Sequence, residues 1–548
     1  MKFGGLLRKN AAAALSACLV LAACGGGGAS SGGAGGRGET PSRGAGAGAS
    51  AGGVSVAVQT CANPESIDPA INTAADASTV VDALFQGLMT FGEDKSVVPG
   101  TAQSYDLSED GRTYTFHIRP EAKWSDGKPV TAGDFLYAWN RLVAPETGAP
   151  YASIIDIVDG FDEGKLNISA PDDATFIVKL KAPAPYFAEL CTHNATFPVR
   201  QDCVESNPEG WTLSPETCVG NGPFALKEWR QQGYIQTEKN PYYWAADGVK
   251  IDDLRFALMA DDNAALAAFR QGELSFIKSV PMDELDALKS TPEYHGDPLL
   301  GNYYVTFNTQ KIPMPVRKAL TLAIDREYLV EQVGKTGQRP AGAIVPPEVK
   351  DADGSDFREK GGDYFDVKDY AGNLELAKKT LEDAGYKDGA GLPEYTFTYN
   401  EGTMYEQTAL ALQDMWAKIG VKVTLQQQDW ATFLGARRAG DYEIARSGWY
   451  NDFSDPVTCL DIFCTDNGNN DWQWSNPEFD KLIAQVKSTG DNAERMRLLH
   501  QAEDLVMADW CVAPMFYYTD LYLQSEKLKG VTMVPLSYRL FDRAYIEE

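Results

Sequence analysis

Histidine is scarce in this sequence, with only four among 548 residues: His117, His193, His295 and His500. None stands at a ligand spacing from the cysteines, so the sequence does not indicate a zinc site. The usual catalytic patterns are missing too: we find no Ser-His-Asp order, no H-E-x-x-H, no phosphate loop and no plausible pair of catalytic carboxylates. A formal G-x-S-x-G over residues 28–32 lacks the strand and helix of a hydrolase elbow. We therefore expect neither an enzyme nor a cofactor.

An excess of basic residues is also absent. Asp and Glu number 77 against 49 Lys and Arg, for a formal net charge of −28. Such a surface argues against nucleic acid as a partner. After the N-terminal segment no run is apolar enough to cross a bilayer, which takes about 20 residues. From Val54 onward the composition is globular, and the length predicts two or three lobes.

The first 53 residues have the composition of an export signal and a tether. Lys2, Arg8 and Lys9 precede a short apolar stretch that ends in LAAC, at Cys24, which is the layout of a secretory signal. The small residues before the cysteine resemble the bacterial lipobox, which implies a signal peptide over 1–23 and a lipid on Cys24. The alternative is an ordinary signal with an incidental cysteine. Residues 24–53, rich in Gly, Ala and Ser, predict a flexible tether at the extracellular face of the cytoplasmic membrane.

Nine cysteines are present, and seven remain after Cys18 leaves with the signal and Cys24 takes the lipid. Export permits disulfides among these seven. Proximity along the chain favours two pairs: Cys203 with Cys218, and Cys459 with Cys464. Because seven is odd, at least one thiol is unpaired or pairs elsewhere.

Hydrophobic periodicity predicts the secondary structure of the globular part. We expect a helix followed by a strand over 262–277, strands at 54–60, 113–120 and 175–183, and helices at 78–91, 131–143 and 316–333. The segment 513–546 is strand-rich, which indicates that the chain returns to close an earlier sheet.

The clearest block runs from Tyr395 to Tyr450. Its patterns alternate as strand, helix, strand, helix, strand, which predicts an α/β lobe with a largely parallel sheet. Open sheets of this kind bind ligands beyond the carboxyl ends of their strands. RSGWYNDFSDP, Arg446–Pro456, lies at such an end, and its position favours a role in lining a site.

Nine segments, in this order, resemble the oligopeptide- and dipeptide-binding proteins of ABC importers. They are SIDPA (66–70), LFQGLMTF (84–91), KWSDGKPVTAGDFLYAWNRL (123–142), GNGPFALKEW (220–229), NPYYW (240–244), YVTFNT (304–309), VRKALTLAIDREYLV (316–330), IARSGWYNDFSDP (444–456) and APMFYY (513–518). Each segment alone is a modest signal, whereas their order over roughly 450 residues is specific.

The resemblance implies an α/β, two-lobe hinged fold of the periplasmic-binding-protein type (type II) with an inserted subdomain. Lobe I would comprise 54–81, 210–302 and 517–548, the insert 82–209, and lobe II 303–516. A peptide would be enclosed between the closing lobes and would not be hydrolysed.

Within this family resemblance, Asp452 matches the aspartate that holds the α-amino group of the peptide. An enclosed ammonium needs a fixed carboxylate, because an unpaired buried charge is costly. The alternative is that Asp452 merely begins the turn at Asp455-Pro456. The strand Ser447–Tyr450, with Gly448 and Trp449, can bind peptide backbone by strand addition. A second backbone wall, at Thr73, Ala74 and Ala75, is implied by the resemblance alone.

Arg446 resembles the family's arginine that meets the C-terminal carboxylate of shorter peptides, and a bidentate pair has suitable geometry. An internal salt bridge is the alternative. Trp430 and Trp449 match aromatic pocket walls, although either one fits an ordinary core position. Tyr304 and Tyr518 are further candidates of the same kind.

Two features depart from the oligopeptide binders. Tyr450 replaces a small residue or cysteine, and its bulk would narrow a side-chain pocket or shorten the accepted peptide. Cys459 and Cys464 resemble the dipeptide-binding branch, which carries a disulfide shortly after its ligand aspartate. The length of the preferred peptide therefore stays open.

The leading hypothesis is a monomeric, lipid-anchored protein that captures short peptides and delivers them to an ABC permease with its ATPase subunits. One alternative is a binder of the same fold for a murein peptide, a metal chelate, haem or an oligosaccharide. Another is a receptor for signalling peptides.

Overall fold

The computed structural model describes residues 53–60, 63–72, 74–278, 280–534 and 537–548. Residues 53–548 form one compact unit. The predicted signal peptide, the lipid site at Cys24, most of the tether and Thr73 lie outside the described residues. Within the described ranges, no helix combines the length and apolarity that a bilayer span requires.

The described residues contain 21 strands: β1 (Ser55–Gln59), β2 (Met89–Phe91), β3 (Val97–Pro99), β4 (Ala102–Leu107), β5 (Thr113–Ile118), β6 (Ile168–Asp172), β7 (Thr175–Lys179), β8 (Phe224–Arg230), β9 (Tyr234–Lys239), β10 (Asp253–Ala257), β11 (Phe276–Ile277), β12 (Tyr294–Phe307), β13 (Arg339–Pro340), β14 (Tyr395–Asn400), β15 (Val423–Gln428), β16 (Ile444–Tyr450), β17 (Val512–Gln524), β18 (Leu528–Lys529), β19 (Thr532–Met533), β20 (Arg539–Leu540) and β21 (Tyr545–Ile546).

They contain 15 α-helices: α1 (Ala75–Leu84), α2 (Ala132–Val143), α3 (Phe187–Leu190), α4 (Gln201–Ser206), α5 (Asp262–Arg270), α6 (Leu285–Leu288), α7 (Met314–Leu322), α8 (Arg326–Tyr328), α9 (Phe357–Gly361), α10 (Tyr370–Asp383), α11 (Thr403–Ala417), α12 (Trp430–Ala439), α13 (Val457–Leu460), α14 (Pro477–Val486) and α15 (Asn492–Ala508).

Eleven of the strands form one sheet, in the order β15-β14-β16-β12-β17-β11-β1-β10-β9-β8, with β13 also paired to β17. Strand β14 is parallel to both β15 and β16, as predicted for this block. The long strand β12 is antiparallel to β16 on one side and to β17 on the other. The predicted return of the chain to an earlier sheet is thus confirmed by β17. A separate sheet has the order β4-β5-β7-β6.

Two predicted helices end earlier than their periodicity indicates. Helix α1 stops at Leu84, and β2 follows, because the chain passes close to other backbone at Gly87, where a Cβ would lie 2.4 Å from the Cys191 carbonyl oxygen. The predicted helix over 316–333 is broken after Leu322. There the Asp325 carboxylate accepts a hydrogen bond from the Tyr328 N–H and caps a new helix start.

Three large hydrophobic cores hold the unit together. The first core packs the four-stranded sheet, α1 and α2 against β1 and β8–β10. The second core lies around β12, β14, α7 and α11. The third core contains α13, α14 and α15 with the β12 residue Tyr304. These cores do not define where one lobe ends and the next begins. The predicted boundaries therefore stay a prediction: 54–81, 82–209, 210–302, 303–516 and 517–548.

Candidate peptide-binding site

Strand β16 has one paired edge and one open edge. Its whole length pairs with β12, from Gly301 opposite Tyr450 to Phe307 opposite Ile444. On the other edge, β14 pairs only with Ile444 and Ala445. In the described part of the chain no further strand pairs with 446–450 on that edge. Unpaired strand backbone is suited to adding an extended chain, so the geometry fits the strand addition predicted at Ser447–Tyr450.

Two cavities adjoin this strand. The first, of about 550 Å³, is lined by Asp452, Tyr186 and Thr458 among others, and we call it the Asp452 cavity. The second, of about 740 Å³, is lined by Arg446, Trp430 and Tyr450 among others, and we call it the Arg446 cavity. Trp449 and Asn469 line both cavities. An acid and a base therefore occupy adjacent cavities that share one wall.

The Asp452 carboxylate lacks a counter-ion. Burial raises the pKa of Asp452 to about 6, and the hydroxyl of Thr458 partly opposes that shift. No ion pair to Asp452 occurs among the described residues. The turn that follows is made by Asp455 instead, whose carboxylate accepts the Val457 N–H and pairs with Arg495 at 3.0 and 3.1 Å. Asp452 is thus free to take a cation from a ligand.

The raised pKa of Asp452 leads to a pH-dependence of binding. An ammonium held at this carboxylate would stabilise its ionised form, so the contribution of Asp452 to the affinity for a peptide with a free N-terminus would be level above the pKa and fall below it. We expect the dissociation constant at pH 5 to be at least about tenfold higher than at pH 7.5, measured by calorimetry. The dissociation constant of an N-acetylated peptide should not change in this way. If the dissociation constants of the free and acetylated peptides change equally with pH, Asp452 is not the partner of the ammonium.

Arg446 is a buried cation surrounded by aromatic rings. Its side chain is 7% exposed, and its Nε donates to Asn400 Oδ1 at 2.6 Å. The guanidinium carbon lies 4.0 Å from the ring centre of Tyr405, and 5.3 and 5.2 Å from those of Trp430 and Phe433. Within the described residues no carboxylate pairs with Arg446, so the internal salt bridge is not formed. The arrangement leaves a positive charge directed at the cavity.

Several residues of the Arg446 cavity were not identified from the sequence. Arg437 pairs with Asp471, its Nε lying 2.9 Å from Oδ2, and Arg438 lies beside it on α12. The hydroxyl of Tyr303 is buried and has no hydrogen-bond partner among the described residues. Strand alternation in the sequence separates Tyr303 from Tyr304 but does not say which of the two faces the site. The structure decides it, since residues opposite each other on paired strands share a face and Tyr303 is opposite Gly448.

Tyr304 lies elsewhere than predicted. It is 2% exposed, packs in the third core against Trp472, and lines neither cavity. Because it follows Tyr303 on the same strand, its side chain points to the opposite face of the sheet. The prediction of Tyr304 as a pocket wall is therefore wrong.

The other predicted aromatic residues lie at the cavities. Trp430 is 53% exposed and lines the Arg446 cavity, as does Tyr518. Tyr450 is 54% exposed and stacks on Tyr518 with ring centres 4.3 Å apart. The indole N–H of Trp449 is buried and has no partner in the described part of the chain. These positions leave ring faces and one donor available to a ligand.

The predicted second wall is described only in part. Ala74 is exposed and precedes α1, which begins at Ala75. Neither cavity counts Ala74 among its lining residues. Because Thr73 lies outside the described residues, the wall at Thr73, Ala74 and Ala75 stays a prediction.

The two predicted disulfides are absent. Cys203, Cys218, Cys459 and Cys464 all carry free thiols. The Cys459 thiol donates to Asn451 Oδ1 at 2.8 Å and the Cys464 thiol points to Asp461, so the two sulfurs face different partners. Cys218 is buried near Cys203 without a bond between them. In the described ranges no three His, Cys, Asp or Glu side chains are grouped to hold a metal.

Comparison with known proteins places this chain in a family. Residues 96–471 match the model of the bacterial extracellular solute-binding proteins, family 5. The match covers more than half of the chain, and the chain belongs to this family.

Individual relatives agree with that assignment. The oligopeptide-binding protein OppA of Bacillus subtilis is 34% identical, over 93% of this chain and 96% of its own. The dipeptide-binding protein DppE of the same organism is 35% identical, over 87% and 89%. Among solved structures, Haemophilus influenzae OppA in complex with RPPGFSPFR is 31% identical with a TM-score of 0.73, over 90% and 99% of the two chains.

The murein tripeptide-binding protein MppA of Escherichia coli has a similar structure. It is 31% identical, with a TM-score of 0.74, over 90% of this chain and 99% of its own. The predicted class, an α/β fold of the periplasmic-binding-protein type with several domains, is confirmed by these matches. The relatives are solute-binding proteins.

Proposed function

We propose that this protein captures short peptides without cleaving them, with the ammonium on Asp452 and the carboxylate on Arg446. One observation carries the proposal: two opposite charges without ion-pair partners in the described structure lie on either side of an open strand edge. The backbone of 446–450 would bind the peptide main chain irrespective of its side chains. Arg446 and Tyr450 are four strand positions apart, roughly 13 Å, and Asp452 lies two residues beyond the end of the strand, so the two anchors suit short peptides.

We further infer that the peptide is delivered to an ABC permease with its ATPase subunits. A monomer held by a lipid on Cys24 at the extracellular face would have the 24–53 tether to reach that permease. Export and the tether composition support this placement. Intact-mass measurement of the membrane-extracted protein tests it, because the mature chain should begin at Cys24 and carry acyl groups. A chain that begins elsewhere, or lacks lipid, would contradict it.

Calorimetry with alanine peptides of two to eight residues tests the capture of peptides. Peptides with both ends free should bind, and blocking either end by acetylation or amidation should weaken binding. Native mass spectrometry of the purified protein separates the alternatives, because a retained murein peptide, metal chelate, haem or oligosaccharide would differ in mass. Failure of every free peptide to bind would overturn the proposal, and so would release of amino acids during the titration.

A further inference from the structure

The segment that follows Asp452 is held by the helix α3 and the residue before it. The Ser454 N–H donates to the Glu189 carboxylate at 2.7 Å. The ring of Phe453 stacks on that of Tyr186, with centres 4.7 Å apart and planes 12° from parallel. Tyr186 and Phe453 both pack against the first core and the third core. The Asp452 segment is therefore fastened to residues 186–189 by one hydrogen bond and one ring stack.

Burying a carboxylate to accept the Ser454 N–H costs free energy that a neutral acceptor would not. Glu189 is partly buried; Ser454 is the only hydrogen-bond donor to its side chain among the described residues, and no cation there pairs with it. Glutamine would accept the same N–H without the cost of burying a charge. A charged acceptor gives a stronger hydrogen bond than a neutral one, by a factor of about two. The ionised form of Glu189 thus holds Ser454 more firmly than any neutral substitute.

We propose that Glu189 is a positioning residue of the peptide site, which acts by holding the segment Phe453–Asp455 so that Asp452 faces its cavity. This inference rests on the proposed peptide function. Arg495 fixes the same segment through its ion pair with Asp455, and its guanidinium carbon lies 5.3 Å from the ring centre of Tyr186. The hydrogen bond at Ser454 and the ion pair at Asp455 restrict the backbone that follows Asp452. This restriction keeps the Asp452 carboxylate in the position that an ammonium requires.

Burial is the main cause of the altered protonation of Glu189, and its charged neighbours add to it. Burial raises the pKa of Glu189 to about 7, the Ser454 N–H opposes the shift, and the negative charge of Asp455 adds to it. The Asp455 charge is itself paired with Arg495. Tyr538 also faces Glu189, from the C-terminal segment. Because the ionised form is the better acceptor, positioning is strongest above pH 7 and weakens as the pH falls through that value.

Trialanine binding to the full-length protein and to Glu189→Gln, measured by calorimetry from pH 5.5 to 8.5, tests the inference. We expect Glu189→Gln to bind about fivefold more weakly than the wild type at pH 8.5 and nearly equally at pH 5.5, with a midpoint near pH 7. Glu189→Ala, which leaves the Ser454 N–H unpaired, should bind about tenfold more weakly at pH 8.

Glu163→Gln is the matched control, since Glu163 is an exposed acid nearby in the chain that lines neither cavity. It should match the wild type at every pH. If the ratio of the wild-type affinity to the Glu189→Gln affinity stays constant with pH, the role of Glu189 is only structural and the inference is overturned. If Glu189→Ala fails to fold, the Glu189→Gln profile alone decides. Binding of trialanine by the wild type without any pH-dependent ratio would leave the peptide function intact and remove only this inference.

Discussion

Asp452→Asn is expected to weaken the binding of a peptide with a free N-terminus by about 100-fold. Removing one partner of an enclosed, hydrogen-bonded charge pair typically costs 2–5 kcal/mol, about 30-fold to several thousand-fold in affinity. Among the described residues that line the Asp452 cavity, the only other acid without an ion-pair partner is Asp156, which is more exposed than Asp452. Calorimetry at pH 7.5 measures the loss.

The same substitution should stabilise the ligand-free protein. The pKa of Asp452 is raised in the folded chain, so its ionised form destabilises the fold above about pH 6, and this penalty disappears as the pH falls below the unfolded value. Asparagine removes the penalty, and we expect the free energy of unfolding at pH 7.5 to rise by about 1–3 kcal/mol. Denaturant titration measures the rise. A variant that loses both stability and affinity would indicate misfolding instead of a lost anchor.

Arg446→Gln should weaken the binding of peptides with a free C-terminus by about 30-fold, because the carboxylate would lose a charge-assisted partner. The amidated form of the same peptide should bind both proteins with similar affinity. Arg446→Lys should recover little, since an ammonium cannot form the two parallel hydrogen bonds of a guanidinium or stack on Tyr405 in the same way.

Arg497→Gln is the control for the loss of an arginine. Arg497 is exposed on α15, pairs with Glu494, and lines neither cavity. It should bind free and amidated peptides as the wild type does. Equal losses for both peptide forms in Arg446→Gln would show that Arg446 supports the cavity wall and does not bind the carboxylate.

Much of the site was predictable because strand order and side-chain alternation are local properties. The alternation around Arg446–Pro456 predicted a strand whose carboxyl end carries Asp452, and β16 ends at Tyr450 as expected. The choice of Tyr304 over Tyr303 failed because a shift of one residue moves a strand side chain to the other face. Only the pairing of Tyr303 with Gly448 on β16 shows that Tyr303, and not Tyr304, lies on the face of the Arg446 cavity.

Long-range contacts explain the remaining errors. The periodicity of 316–333 was compatible with one helix, and a side-chain cap at Asp325 interrupts it. The contact of Glu189 with Ser454 joins residues 265 positions apart and has no local pattern. The cysteine pairs were inferred from spacing, but a disulfide requires sulfurs that face each other, and those of Cys459 and Cys464 do not.

Strands β12 and β17 run side by side through the middle of the large sheet, and their register shifts between Pro298 and Asn302 and again between Tyr303 and Tyr304. Strands bend most easily at such irregular pairs. A pivot there would pass beside Tyr303, within the wall of the Arg446 cavity. A ligand in the Arg446 cavity would then contact the sheet close to this pivot. A shift of less than about 1 Å at the ligand carboxylate would rotate the two parts of the sheet about the pivot. The same rotation would displace residues far from the pivot by a larger distance.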